Sequence, residues 1–246
     1  QHLNVLIAGT WIIGLNSRTK PFEKLSVRKA FRDSFDAEKF RLTFYPDAEP
    51  AAGYLPRGFP GSKEIKPKKF KSARATSQKP ISIALPLGLA NGQAIASFLE
   101  TSFKKSGWNV SVSILPWDQL MKGYENKSLQ AFLVNMNVDY PDSEFLLRNF
   151  ESKNPDNFSG LKNSKLDALL EDARSTVDRA SRERLYLKAV EMVEDFVPSI
   201  NLFHPRAHLW LSKCVRGLEP NLLSDVYIDY ASVSIDRNCS NQREVQ

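Results

Sequence analysis

Apolar residues along this chain fall into short blocks whose spacing switches between the period of a strand and that of a helix. Thr10 to Asn16 is a nearly unbroken apolar run and predicts a strand. Leu25 to Phe35 places Val27, Ala30 and Phe31 on one helical face, and a short helix is expected near Asp36. Ile81 to Leu85 reads as a strand, Asn91 to Lys105 carries Ile95, Phe98, Leu99 and Phe103 on one face, and Val110 to Leu115 is a second strand. A short helix from Trp117 to Tyr124 precedes a third strand, Leu129 to Asn137. This strand and helix alternation predicts an α/β fold with a largely parallel sheet flanked by helices.

Two amphipathic helices follow. The first opens at Ser164 with Leu166, Leu169, Leu170, Ala173 and Val177 inward; the second directs Leu185, Ala189, Met192, Val193 and Phe196 inward and ends at Pro198. Ile200 to Phe203, Ala207 to Leu211 and Val226 to Ile235 read as strands, and the polar tail from residue 238 to 246 is expected to be disordered. Between residues 46 and 79, Pro46, Pro50, Pro56, Pro60 and Pro67 with Gly53, Gly58 and Gly61 exclude long regular elements, so a long irregular loop is expected there.

The segment most suggestive of chemistry is Val138-Asp139-Tyr140-Pro141-Asp142, which sets a carboxylate and a ring where the third strand gives way to a helix whose first turn Pro141 suits. In open α/β sheets, ligands bind outside the carboxyl ends of strands, where Asp139 would sit. Asn135 and Asn137 share its strand face by alternation.

Composition narrows this reading. With 246 residues, 42% hydrophobic and 25% charged, the chain suffices for one large or two small domains. The formal charge of +6 is concentrated between residues 63 and 79, where Lys63, Lys66, Lys68, Lys69, Lys71, Arg74 and Lys79 face only Glu64. The remainder is balanced, so the excess reads as a solvated connector rather than a nucleic-acid surface. No apolar run approaches the length of a membrane span. Cys214 and Cys239 are too few for a metal knuckle; one disulfide and two unpaired thiols both fit. His204 and His208 flank Pro205, and residues four apart in a strand lie roughly 13 Å apart, so they are not expected to share a metal. No nucleophile with a base, paired acids or Gly-rich phosphate loop marks an enzyme, and no cofactor is expected.

Several strings together resemble the family 5 extracellular solute-binding proteins, the peptide-, dipeptide- and nickel-binding components of ABC importers. These are Leu15-Asn16, Lys20-Pro21-Phe22, Val27-Arg28-Lys29-Ala30-Phe31, Gly53-Tyr54-Leu55-Pro56-Arg57-Gly58-Phe59 and Phe103-Lys104-Lys105-Ser106-Gly107. Asp139-Tyr140-Pro141-Asp142, Asn157-Phe158-Ser159-Gly160, Leu166-Asp167-Ala168-Leu169-Leu170 and Asp195-Phe196-Val197-Pro198 continue the family order. Two departures stand out: Asn135-Met136 replaces a common Gly-Trp, and the basic segment around Lys68 to Arg74 replaces a longer helix.

The resemblance implies a periplasmic-binding-protein type II-like lobe over residues 1–221, a strand over 222–237 returning towards a missing N-terminal lobe, and a protein about twice this length. It implies a periplasmic substrate-binding component of a peptide importer, partnered by ABC permease subunits and peripheral to the membrane at most. Asp139 would take a peptide's α-ammonium, with Tyr140, Asn137, Asn135, Met136 and Trp117 lining the cleft. The rival readings are a cytoplasmic ligand-sensing domain of a transcriptional regulator and a degenerate interaction scaffold.

Overall fold

A computed structural model describes residues 1–62, 73–219, 221, 229–236 and 239. The basic run Lys63 to Lys71, residues 222–228 of the expected return strand, and the tail apart from Cys239 lie outside them.

The chain opens with strands β1 (His2–Leu6) and β2 (Gly9–Leu15), helices α1 (Leu25–Asp33) and α2 (Ala37–Phe44), and the two-residue strand β3 (Glu49–Pro50). Then come β4 (Ile81–Pro86), α3 (Gly92–Lys105), β5 (Val110–Leu115), α4 (Trp117–Glu125), β6 (Ala131–Asn137) and α5 (Ser143–Leu147). The last elements are α6 (Ser164–Ser175), α7 (Arg179–Phe196), β7 (Ser199–His204), β8 (Arg206–Trp210), β9 (Val215–Arg216) and β10 (Ser234–Ile235). Side-chain caps fix several helix starts: Asp36, Asn163 and Asp178 accept from the first-turn N–H groups of α2, α6 and α7.

Six strands form one mixed sheet in the order β3-β7-β2-β6-β4-β5. Parallel pairing is confined to β4 with β5 and β4 with β6; β2 runs antiparallel to β6 and β7, and β3 to β7. The sheet separates two apolar layers. Ile13, Leu15, Ile81, Ile83, Leu133 and Phe203 pack with Phe31, Phe40, Leu99 and Phe103 of α1 to α3. On the other face, Ile12, Ala84 and Phe132 pack with Leu120, Leu166, Leu170, Tyr186, Val190 and Val193 of α4, α6 and α7. Strands β1 and β8 form a separate antiparallel ribbon, as do β9 and β10.

The irregular segment before residue 63 is packed rather than loose. Tyr54 and Phe59 are buried, the Tyr54 N–H donates to Glu194 Oε1 at 3.0 Å, and Gly61 lies against α7. A Cβ on Gly61, whose φ is +79°, would meet Leu187 N at 2.8 Å, so both the conformation and the approach require glycine there.

The structure shifts some expected boundaries. Helix α6 stops at Ser175, leaving Val177 fully exposed instead of inward. The buried stripe of α7 is Tyr186, Ala189, Val190 and Val193, while Leu185, Met192 and Phe196 sit half-buried at its margin. Helix α5 begins at Ser143 behind the cap Asp142, two residues beyond Pro141, because the Asp142 carboxylate supplies the acceptor that a helix start needs. Tyr230–Ser232 form a 3-10 turn, and Ser234–Ile235 pair with Val215–Arg216. Cys214 and Cys239 are joined by a disulfide that ties this ribbon.

Candidate functional site

The carboxyl end of β6 is where the expected site residues meet. Phe132, Val134 and Met136 face the α6–α7 layer, whereas Ala131 and Leu133 face the α1–α3 layer, so Asn135 and Asn137 emerge on that second side and Met136 on the opposite one. The strand ends at Asn137. Val138 is then buried, its N–H donating to Ala8 O at 3.2 Å, and the chain turns outward at Asp139.

The two carboxylates of the Asp139-Tyr140-Pro141-Asp142 turn have separate environments. Asp142 caps α5 by accepting from Glu144 N at 2.9 Å, accepts the Tyr186 hydroxyl at 2.9 Å and pairs with Arg182 of α7. Asp139 is exposed and makes no hydrogen bond or ion pair with any described residue. Tyr140 lies beside it, 41% exposed, with its hydroxyl donating to Glu144 Oε2 at 2.6 Å and its ring edge-on to Phe145. Burial of the phenol, reinforced by the Glu144 carboxylate, pushes its pKa up to about 12.

Strand β2 shapes the ground behind this turn. Gly9 pairs opposite Asn137 and Trp11 opposite Asn135. A Cβ on Gly9 would fall 2.6 Å from Asn137 Oδ1 and 2.9 Å from Asn135 Oδ1, so the two carboxamides lie over Gly9 because it has no side chain. Asn135 Oδ1 is buried without a hydrogen-bond partner among the described residues. Beneath, His204 is 3% exposed and its Nδ1 lies 3.1 Å from both Gly9 O and Thr10 Oγ1. Thr10 donates its own proton to Tyr54 O, which leaves Nδ1–H as the donor of that pair. Burial lowers the His204 pKa, opposed by the Gly9 carbonyl and the Glu49 charge.

Trp117 opens α4, after β5, and is 57% exposed. Since β4 lies between β5 and β6, Trp117 stands on the same edge of the sheet two strands away, roughly 10 Å, and makes no ring contact with Tyr140. Asn135, Asn137, Asp139 and Tyr140 are thus brought together, Met136 is turned to the other face, and Trp117 is a separate neighbour. Sequence reasoning missed Gly9 and the Tyr186–Arg182 clasp on Asp142, and weighed His204 only as a metal ligand to be set aside, because each acts through a partner remote in sequence.

Among the described residues no three His, Cys, Asp or Glu converge for a metal ion, and no helix is long and apolar enough to cross a membrane.

Residues 3–158 match the family model described as bacterial extracellular solute-binding proteins, family 5 middle. The chain is 20% identical over 244 residues to the oligopeptide-binding protein AppA of Bacillus subtilis (strain 168), covering 87% of this chain and 45% of that protein. It is 24% identical over 233 residues to the dipeptide-binding protein DppE of the same organism, covering 86% and 43%. Among solved structures, HbpA2 from Haemophilus parasuis superposes with a TM-score of 0.84 at 20% identity, over 96% of this chain and 50% of that one. The periplasmic binding protein DppA from Helicobacter pylori, in complex with the peptide STSA, gives 0.81 at 19% identity, over 96% and 49%. The chain therefore spans about half the length of these relatives.

Proposed function

This chain belongs to the bacterial extracellular solute-binding proteins of family 5, and from that we propose that it is the C-terminal ligand-binding lobe of an extracytoplasmic peptide-binding component of an ABC importer. Its solute is a peptide with a free amino terminus, held between this lobe and the N-terminal lobe of the same protein, and Asp139 takes the α-ammonium.

The observation that carries the reading is the division of labour in the turn: Asp142 is consumed by the cap, Tyr186 and Arg182, while Asp139 is exposed at the carboxyl end of a sheet strand and has no partner among the described residues. An ammonium meeting that carboxylate forms charge-assisted hydrogen bonds worth about 1.5–3 kcal/mol each. Enclosure between two lobes removes both charges from water, so the ligand favours the closed arrangement, which permease subunits can read. Tyr140, held against Glu144 and Phe145, is a rigid wall beside the anchor. Asn135 and Asn137 offer carboxamides to the solute's backbone, while Trp117 is the outer candidate for its side chains and Met136, on the opposite face of β6, takes no part.

Native mass spectrometry of the intact protein, purified without refolding, tests the reading. Heterogeneous adducts of peptide mass that vanish on denaturation are expected, and Asp139→Ala should lose them. In titrations with the recovered peptides, Asp139→Ala should lose about 3–5 kcal/mol of binding, since the ammonium is left enclosed without its counter-charge. Parent and variant binding the same peptides equally would remove Asp139 from the site. A parent without peptide adducts, in repeated preparations and after incubation with a random peptide pool, would overturn the peptide reading.

A further inference from the structure

The ribbon formed by β1 and β8 carries a second cluster, away from the Asp139 turn. Its antiparallel register pairs His2 with Trp210 and Asn4 with His208, which places His2 and His208 diagonally on one face. His2 Nε2 lies 2.8 Å from His208 Nδ1, with the two rings within 7° of parallel. The Trp210 ring stacks on His2 at 4.2 Å and restricts its orientation. On the far side of the second imidazole, Asp47 Oδ2 is 3.6 Å from His208 Nε2. Arg206, the nearby cation of β8, is committed to Asn4 and Glu49.

From this arrangement we propose that His2 and His208 bind a divalent late-transition ion, with Asp47 as the carboxylate that orients His208. A carboxylate facing one imidazole nitrogen favours the tautomer with its proton on that side, which presents the opposite nitrogen as a ligand; this is the outer shell of many histidine-bound metals. In the ion's absence the two facing nitrogens share one proton. An ion on the line between them would bind each nitrogen at about 2.0–2.1 Å, which requires the nitrogens to part by about 1.2–1.4 Å, or by less if the rings also tilt. Both side chains have solvent on one side and can make that movement. Since no three acidic, His or Cys residues converge among those described, water fills the remaining positions. Two neutral imidazoles select Cu²⁺ over Zn²⁺ and disregard hard ions such as Ca²⁺. The bound ion would cross-link two strands whose ligands are 206 residues apart in sequence.

The test is calorimetric titration of the chelator-treated intact protein with Cu²⁺, Zn²⁺ and Ca²⁺ in turn. Cu²⁺ should bind more tightly than Zn²⁺, and Ca²⁺ should give no heat at this site. His2→Ala and His208→Ala should each bind one Zn²⁺ fewer than the parent, and Asp47→Asn should weaken that site about tenfold. Circular dichroism of each variant separates loss of the site from loss of the fold, and His208→Gln provides a second, bulk-retaining variant. A parent that binds neither Cu²⁺ nor Zn²⁺, or binding unchanged in folded His2 and His208 variants, overturns the proposal. Zn²⁺ affinity unchanged in Asp47→Asn would remove Asp47 from it.

Discussion

The Tyr186 hydroxyl of α7 donates to Asp142 Oδ1 at 2.9 Å, and this contact fixes the turn that carries Asp139. With Arg182 pairing to the same carboxylate, one buried face of α7 clamps the chain three residues beyond the candidate anchor. The two acids of the turn should therefore separate experimentally. Asp142→Ala is expected to destabilise the fold by about 2–3 kcal/mol through loss of the cap and its two α7 partners. Asp139→Ala should leave stability within about 0.5 kcal/mol of the parent, as at an unengaged surface position. Urea denaturation of both variants decides it; equal losses would refute the division.

Arg28 is 2% exposed and donates to Phe22 O at 2.6 Å, to Phe196 O at 2.7 Å and to Val197 O at 3.2 Å, with its guanidinium over the Phe196 ring. It thereby satisfies carbonyls at the C-terminus of α7 that would otherwise be buried without donors. Burial lowers its pKa to about 10, which still leaves it charged at neutral pH. Arg28→Ala should cost roughly 3 kcal/mol, and Arg28→Lys should recover only part of that, because one ammonium cannot span the fork of acceptors. Denaturant midpoints for the pair provide the measurement.

His204 gives a pH dependence whose sign follows from its lowered pKa. Its neutral form is favoured in the folded chain, so its contribution is complete above the unfolded-state value near about 6.5 and is lost as pH falls from there through the folded-state value. Thermal midpoints should therefore decline on acidification below that point. His204→Asn should flatten this part of the profile while lowering stability at neutral pH, since Gly9 O loses its imidazole donor. A His204→Asn profile parallel to that of the parent would assign the acid sensitivity elsewhere.

The disulfide joins residues 25 apart in sequence. Alkylation without reductant should label neither cysteine, and Cys239→Ser should lower the stability of the C-terminal ribbon by up to about 3 kcal/mol in the loop-closure account. Hydrogen exchange at Val215, Arg216, Ser234 and Ile235 reads this locally: faster exchange in the variant is expected, and unchanged exchange would show that the ribbon stands without the bond.

Periodicity along the chain was enough to locate most helices and sheet strands, because burial on one face imposes a repeat of 3.6 or 2 that polar residues cannot mimic. It also marked Asp139 as a residue at a strand end, and the order of short strings pointed to the family that residues 3–158 match. Hydrophobic count alone could not choose between overlapping stripes on α7, since Leu185 and Tyr186 serve equally well until the neighbouring layer fixes the rotation. Nor could it divide the roles of Asp139 and Asp142, two acids three residues apart, because the partners that distinguish them come from α7, some forty residues onward. Gly9 beneath the Asn135 and Asn137 carboxamides and His2 beside His208 are likewise products of strand register. Local sequence carries short-range preference, but which polar groups are satisfied and which stand free depends on atoms brought together from distant parts of the chain, and only the tertiary structure decides that.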